Sequence, residues 1–246
     1  MNYYVLLPLV AFIANLLLGC YILYRDSKSL LNRLYSFFAF GLAVWALGDF
    51  LTFPGFFVGT SYEWFNVGTF GSSLIPAFLL HFCLVFTKRK IISNKIFAIL
   101  LYLPGLCFIF IGQTTDLIGG ALKPTYWGYT TSPGILYTPL VIYIVGYIGI
   151  SLFFTYRFYF KTKSAEEKKQ TALINMAISI PLIGGIITEA IPSIIGFEII
   201  PLSTTLTTIT AVIIAYTIMK YRLMTPLSFS IKRKLIAIFF GLFPAA

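Results

Sequence analysis

The sequence predicts an all-α membrane protein: a bundle of seven transmembrane helices with its amino terminus outside the cell, followed by the start of an eighth helix. Three observations predict it. Of the 246 residues, 59% are hydrophobic and only 11% charged, against about a quarter charged in soluble domains. The apolar residues gather into seven runs, at 3–24, 34–53, 64–86, 96–113, 135–159, 171–191 and 199–219. Each run of about 18–25 residues makes ~27–37 Å of helix, enough to cross a hydrocarbon core of ~30 Å. The third observation is charge. One alternating set of loops carries Arg25, Lys28 and Arg33, then Lys88, Arg89, Lys90 and Lys95, then Arg157, Lys161, Lys163, Lys168 and Lys169, then Lys220, Arg222, Lys232, Arg233 and Lys234. The other set carries only Lys123. Basic loops stay in the cytoplasm, which fixes the amino terminus outside and the exit of the seventh run inside. The net charge of +10 then orients the protein and meets anionic lipid; nucleic acid is not its partner.

In the first run, Asn15 falls near mid-depth, where an amide bonds between helices. This run lacks a basic leader and is too long for the apolar part of a signal peptide, so it reads as a retained span. The second carries Trp45 and Asp49. Asp49 lies ~22 Å along the helix from Leu34, in the outer third. An acid there is a functional candidate, because burying its charge is costly, or it reaches interfacial water. The third opens with Glu63, Trp64 and Asn66, is interrupted by Pro76, and closes with His81, the only histidine. That histidine is expected to bond a neighbouring helix, with a proton-responsive switch as the alternative. Pro104 and Pro181 interrupt the fourth and sixth runs, and Pro139 opens the fifth.

Between the fourth and fifth runs, Tyr126, Trp127, Gly128 and Tyr129 precede Pro133-Gly134. Turn formers with aromatics at the water boundary suit a compact lid over the bundle, or an interfacial anchor. Between the fifth and sixth, Glu166 and Glu167 follow a basic stretch and open the next helix, where acids are favourable; a docking surface for a cytoplasmic output domain is the alternative. Gly184-Gly185 permits close helix approach, and the run ends with Glu189 and Pro192. The seventh is rich in hydroxyls, at Ser203, Thr204, Thr205, Thr207, Thr208 and Thr210. These satisfy themselves on a carbonyl one turn back, while the face of Thr204, Thr208 and Ala211 offers a polar cleft. Cys20, Cys83 and Cys107 read as small buried hydrophobes, with neither disulfide nor metal spacing. No cofactor is implied. Residues 1–224 thus form the membrane domain. Residues 225–246 hold a basic linker and an apolar dozen, ~18 Å of helix and too short to cross, expected to be the front of an eighth helix in a longer protein or a tail on the inner leaflet.

Over residues 1–224 the chain resembles the seven-helix amino-terminal sensor module of microbial sensor histidine kinases. The resemblance is carried by Trp45, by Trp127-Gly128-Tyr129 before the fifth run, by Gln170 after a basic loop, and by Gly184-Gly185 with Glu189 and Pro192. The exit Ala215-Tyr216 followed by Lys220-Tyr221-Arg222-Leu223-Met224 completes it. It implies seven helices that receive an external or membrane-borne signal and pass it to a cytoplasmic kinase or other signalling domain in a two-component system, with a homodimer as the working form. The basic and apolar stretch 230–244 departs from that pattern and resembles a helix preceding a HAMP linker.

The leading expectation is therefore a multi-pass cell-membrane receptor, and not an enzyme in these residues, since neither a phosphoacceptor motif nor ATP-binding glycine boxes occur. The ligand would be a small molecule or lipid-like compound in the outer half. Candidate contacts, from depth and polarity, are Asp49, Glu63, Trp64, Trp127, Glu189, Glu198 and Thr204. Candidate relay residues are Lys220, Tyr221, Arg222 and Leu223. With Asp116 the outer acids number five against Lys123, which disfavours an anionic ligand. A small secondary transporter is the alternative, although no internal repeat or acid at mid-depth supports it. An intramembrane enzyme would need paired catalytic groups, and a retinal receptor a lysine in the seventh run, which has none.

Overall fold

A computed structural model describes residues 4, 6–52 and 61–221. Among the described residues, six helices are long and apolar enough to cross a membrane. They are α1 (Leu6–Arg25), α2 (Leu30–Thr52), α3 (Ser61–Phe86), α4 (Lys95–Thr114), α5 (Tyr137–Lys161) and α6 (Ala165–Gly185). α6 continues through a π turn, Ile186–Ala190, into a short α7, Ile191–Ile195. The last helix, α8 (Ser203–Lys220), has 18 residues, of which seven are serine or threonine. The helices fall where the apolar runs place them, and the Pro76, Pro104 and Pro181 positions lie inside continuous helices. The expected eighth helix, and Arg222 and Leu223 of the expected relay, lie outside the described residues.

α2 is packed between α1 and α3, α3 touches α4 and α5, and α5, α6 and α8 follow in turn until α8 meets α1 and α2. With no hydrophobic drive inside lipid, such contacts depend on close backbone approach and polar links. Both are present. A Cβ on Gly48 would lie 2.5 Å from the Cα of Gly68, and one on Gly71 would lie 2.6 Å from the Trp45 nitrogen, so α2 and α3 meet backbone to backbone. The expected approach at Gly184-Gly185 is found too: a Cβ at Gly184 would run into the Leu206 side chain of α8. Side chains add cross-helix hydrogen bonds. Asn15 donates to Thr208 at 3.0 Å, as its depth predicted. Tyr35 donates to the Ala211 carbonyl (2.9 Å), Thr210 to the Ala177 carbonyl (2.6 Å) and Tyr143 to the Ser73 carbonyl (3.0 Å). His81 bonds the Tyr102 hydroxyl of α4 at 2.7 Å, the neighbouring-helix contact expected of it.

The core is not uniform along the bundle. Its main cluster, including Ile22, Leu34, Phe82, Phe86, Ile174 and Ile218, fills the half where the basic residues collect. That end is also tied across loops: Lys88 pairs with Glu167 at 2.8 Å, and Ser164 caps α6 by accepting the Glu167 amide. The acidic helix start expected at Glu166 and Glu167 is thus present. Of the three cysteines only Cys83 is buried; Cys20 and Cys107 face outward, because an apolar run does not reveal which of its faces meets lipid. An outward face in a bilayer is as apolar as a buried one.

One element is not helical. Strands β1 (Gly119–Thr125) and β2 (Gly128–Pro133) form an antiparallel hairpin. The Thr125 hydroxyl donates to the Gly128 carbonyl and accepts its amide, closing a turn on Tyr126-Trp127. Gly128 takes φ +152° there, a conformation that glycine adopts at little cost. The hairpin base is pressed onto α3, since a Cβ at Gly119 would run into the Phe65 ring. Tyr62 of α3 donates to Asp116 (2.6 Å) and to the Gly119 carbonyl (3.1 Å).

Candidate functional site

In the half of the bundle opposite the packed core lies a cavity of about 430 Å³. α2 contributes Phe38, Trp45, Asp49 and Thr52, a stripe at helical spacing. The far ends of α3, α5, α6 and α8 supply further walls, and the hairpin covers them with Lys123, Trp127 and Thr130. Trp127, at the hairpin turn, is 6% exposed and points into the cavity. It is therefore part of a lid rather than an interfacial anchor. Lys123 on β1 pairs with Glu198 after α7 at 2.8 Å, a latch between the hairpin and the far wall.

The irregular end of α6 has a local cause. Pro192 has no N–H, so the Thr188 carbonyl loses its α-helical donor, and the ring disfavours a regular turn before it. The chain responds with a π turn in which the Ile191 N–H reaches the Ile186 carbonyl. Such single-turn expansions are frequent at functional sites. Here the expanded turn carries Glu189, whose carboxylate accepts the Ser203 amide at 3.2 Å. Ser203 is the first residue of α8, so an acid of α6 satisfies an orphan donor and meets the positive end of the α8 dipole. Thr188 adds a second link, accepting the Leu202 amide at 3.4 Å.

Asp49 faces this cap from α2. The Thr204 hydroxyl is within hydrogen-bonding reach of Asp49, and Glu189 lies within electrostatic range of it. Both acids line the cavity. The arrangement is a pair of carboxylates on the cavity wall beside the start of α8, Glu189 accepting the Ser203 amide and Asp49 within reach of the Thr204 hydroxyl, above a floor of Ile75, Leu79, Ile148 and Ile178.

Compared with known protein families, residues 7–226 match the one described as the N-terminal 7TM region of histidine kinase. The chain belongs to this family. None of the curated proteins compared with it matches. The match takes in the cavity, the hairpin and the whole of α8. It makes the protein a multi-pass membrane protein of a sensor input type.

Of the residues named from the sequence of this histidine-kinase 7TM region, Asp49, Trp127, Glu189 and Glu198 stand on the cavity wall, and Thr204 lies behind Asp49. Glu63 is exposed and Trp64 half-buried, and neither lines the cavity. On α8 the cavity face is Ser203, Thr207 and Thr210, not the face of Thr204, Thr208 and Ala211; that one turns to α1 and α2 through Asn15, Asp49 and Tyr35. Lys220 ends α8 and Tyr221 follows it in a turn. Sequence reasoning missed the Lys123–Glu198 latch and the Trp45–Asp49–Thr52 stripe. The second was findable from i, i+4, i+7 spacing; the first pairs residues 75 apart and has no local signal.

Proposed function

We propose that this chain is the sensory input domain of a histidine-kinase-type receptor: seven helices cross the membrane, with the amino terminus and hairpin outside. A signal from outside or from the membrane enters the cavity and is relayed inward along α8, through Lys220 and Tyr221 and on to Arg222 and Leu223, to a cytoplasmic signalling partner. The observation that supports this most is that α8 begins at the cavity and ends at the basic face. Its 18 residues make a rod of ~27 Å, capped at one end by Glu189. An occupant that bonds Glu189 shares with the Ser203 amide the carboxylate that caps α8, so its binding is coupled to the cap. It therefore binds differently when α8 is capped and when it is released, which is what a ligand must do to shift a two-state equilibrium. The family match lends the transporter reading no support.

The test is a chimera with a known kinase output, exposed to fractions of growth medium and of membrane lipid. A response that depends on Glu189, and that changes sign or amplitude when one residue is inserted after Tyr221 (a rotation of ~100°), is expected. An output indifferent to every fraction and to the insertion would remove the relay.

A further inference from the structure

We propose that the cavity takes an organic cation, its positively charged hydrogen-bond donor seated between Asp49 and Glu189 and its apolar body lying against Trp45, Ile75 and Ile148. This rests on the reading of the cavity as the sensory site and adds the chemical class of what it senses.

Charge comes first. Two carboxylates lining one largely apolar cavity are costly, since burying an unpaired charge away from water is unfavourable. Among the described lining residues the one cation is Lys123, and it is engaged by Glu198 at 2.8 Å. The Asp49–Glu189 pair thus faces the cavity without a counter-charge from the described wall. An anionic occupant would add a third like charge in a low-dielectric space; a neutral one would leave the pair as it is.

Hydrogen-bond direction gives the same answer. Glu189 already accepts the Ser203 amide, and the Thr204 hydroxyl is a donor within reach of Asp49. An ionised carboxylate has about four acceptor positions and no donor, so a cation that draws both acids into the ionised form meets acceptor capacity alone. An ammonium or guanidinium group supplies several donors and the balancing charge together, and such bonds are about twice as strong as neutral ones.

The rest of the cavity excludes a bare inorganic cation as its full occupant. Below the acids the wall is apolar, and about 430 Å³ falls in the ~300–1,000 Å³ range of pockets for small organic molecules. Trp45, Phe65 and Trp127 on the walls offer aromatic surfaces that attract a desolvated organic cation.

The test uses the full chain in discs of zwitterionic lipid and three matched probes: phenylbutylammonium, phenylbutanol and phenylbutanoate, titrated by calorimetry. Expected is saturable binding of the ammonium compound, at least about tenfold tighter than the alcohol, with the carboxylate weakest. Asp49→Asn and Glu189→Gln, which keep shape, should each weaken the ammonium compound about tenfold and leave the alcohol unchanged. Equal binding of alcohol and ammonium, tighter binding of the carboxylate, substitutions without effect, or no saturable binding would each overturn the proposal, and the wild-type comparison stands even if a variant misfolds. The kinase chimera separates the two readings. If the neutral or anionic probe both binds and switches output, the sensory site stands and the cation class falls. If the ammonium probe binds through the two acids yet no compound alters output, the class stands and the sensory role falls.

Discussion

At the scale of single residues, hydroxyls divide into those that serve their own helix and those that join two. Thr217 donates to Ile213 of its own helix at 2.8 Å, whereas Thr210 crosses to the Ala177 carbonyl of α6 at 2.6 Å. Thr210→Val should therefore destabilise the bundle by ~0.6–1.7 kcal/mol, the range for cross-helix bonds in membranes. Thr217→Val should be neutral within ~0.5 kcal/mol, since it removes no tertiary link. Denaturant unfolding in micelles distinguishes them; equal losses would mean that the cross-helix bond adds nothing. The sequence could not separate these threonines, because the partner of Thr210 lies 33 residues away on another helix. It did better with Asn15 and His81, where depth alone demands a partner on a neighbour, though Thr208 and Tyr102 could not be named in advance.

Among the elements, glycines set the spacing of α2 and α3. Gly48→Ala would force a methyl to within 2.5 Å of Gly68 backbone atoms, which cannot rotate away. A loss of ~1–3 kcal/mol or more is expected, as for overpacked cores. Gly146→Ala on α5 meets nothing within 4 Å and should be neutral or slightly stabilising, because alanine is the better helix former. Comparing the melting of the two variants checks the pair; a tolerated Gly48→Ala would mean α2 and α3 can separate. The hairpin latch is a weaker device. Lys123 and Glu198 are both partly exposed, so their pair is expected to contribute only ~0–1 kcal/mol. Lys123→Glu should then raise the labelling rate of a Ser203→Cys variant by a soluble maleimide several-fold, and adding Glu198→Lys should restore it. Unchanged labelling in both would detach the latch from cavity access. None of the hairpin was legible as strands: segment 114–134 showed turn formers and aromatics, enough for a lid but too irregular for strand periodicity.

For the molecule as a whole, helix positions were legible because span length follows from the thickness of the bilayer; sidedness, expected from which loops carry lysine and arginine, is a prediction. The cavity was not legible, since it depends on which face of each helix turns inward, and apolar helices bound for lipid and for core look alike. The sidedness makes the remaining prediction. Hairpin and α5–α6 loop lie at opposite ends of α5, one lined by acids around a single lysine, the other by a basic cluster tied by Lys88 and Glu167. Gly119 is a poor reporter position, because it is clamped against Phe65. Tyr126 at the hairpin tip is 67% exposed, and Lys163 is exposed in the basic loop. On intact cells an impermeant maleimide should label Tyr126→Cys at once and Lys163→Cys only after permeabilisation, in a background with Cys20 and Cys107 replaced. Reversed labelling would place the cavity in the cytoplasm and its ligands inside the cell. Labelling of both positions from one side would break the alternation of spans, and with it the route by which α8 could carry a signal between two compartments.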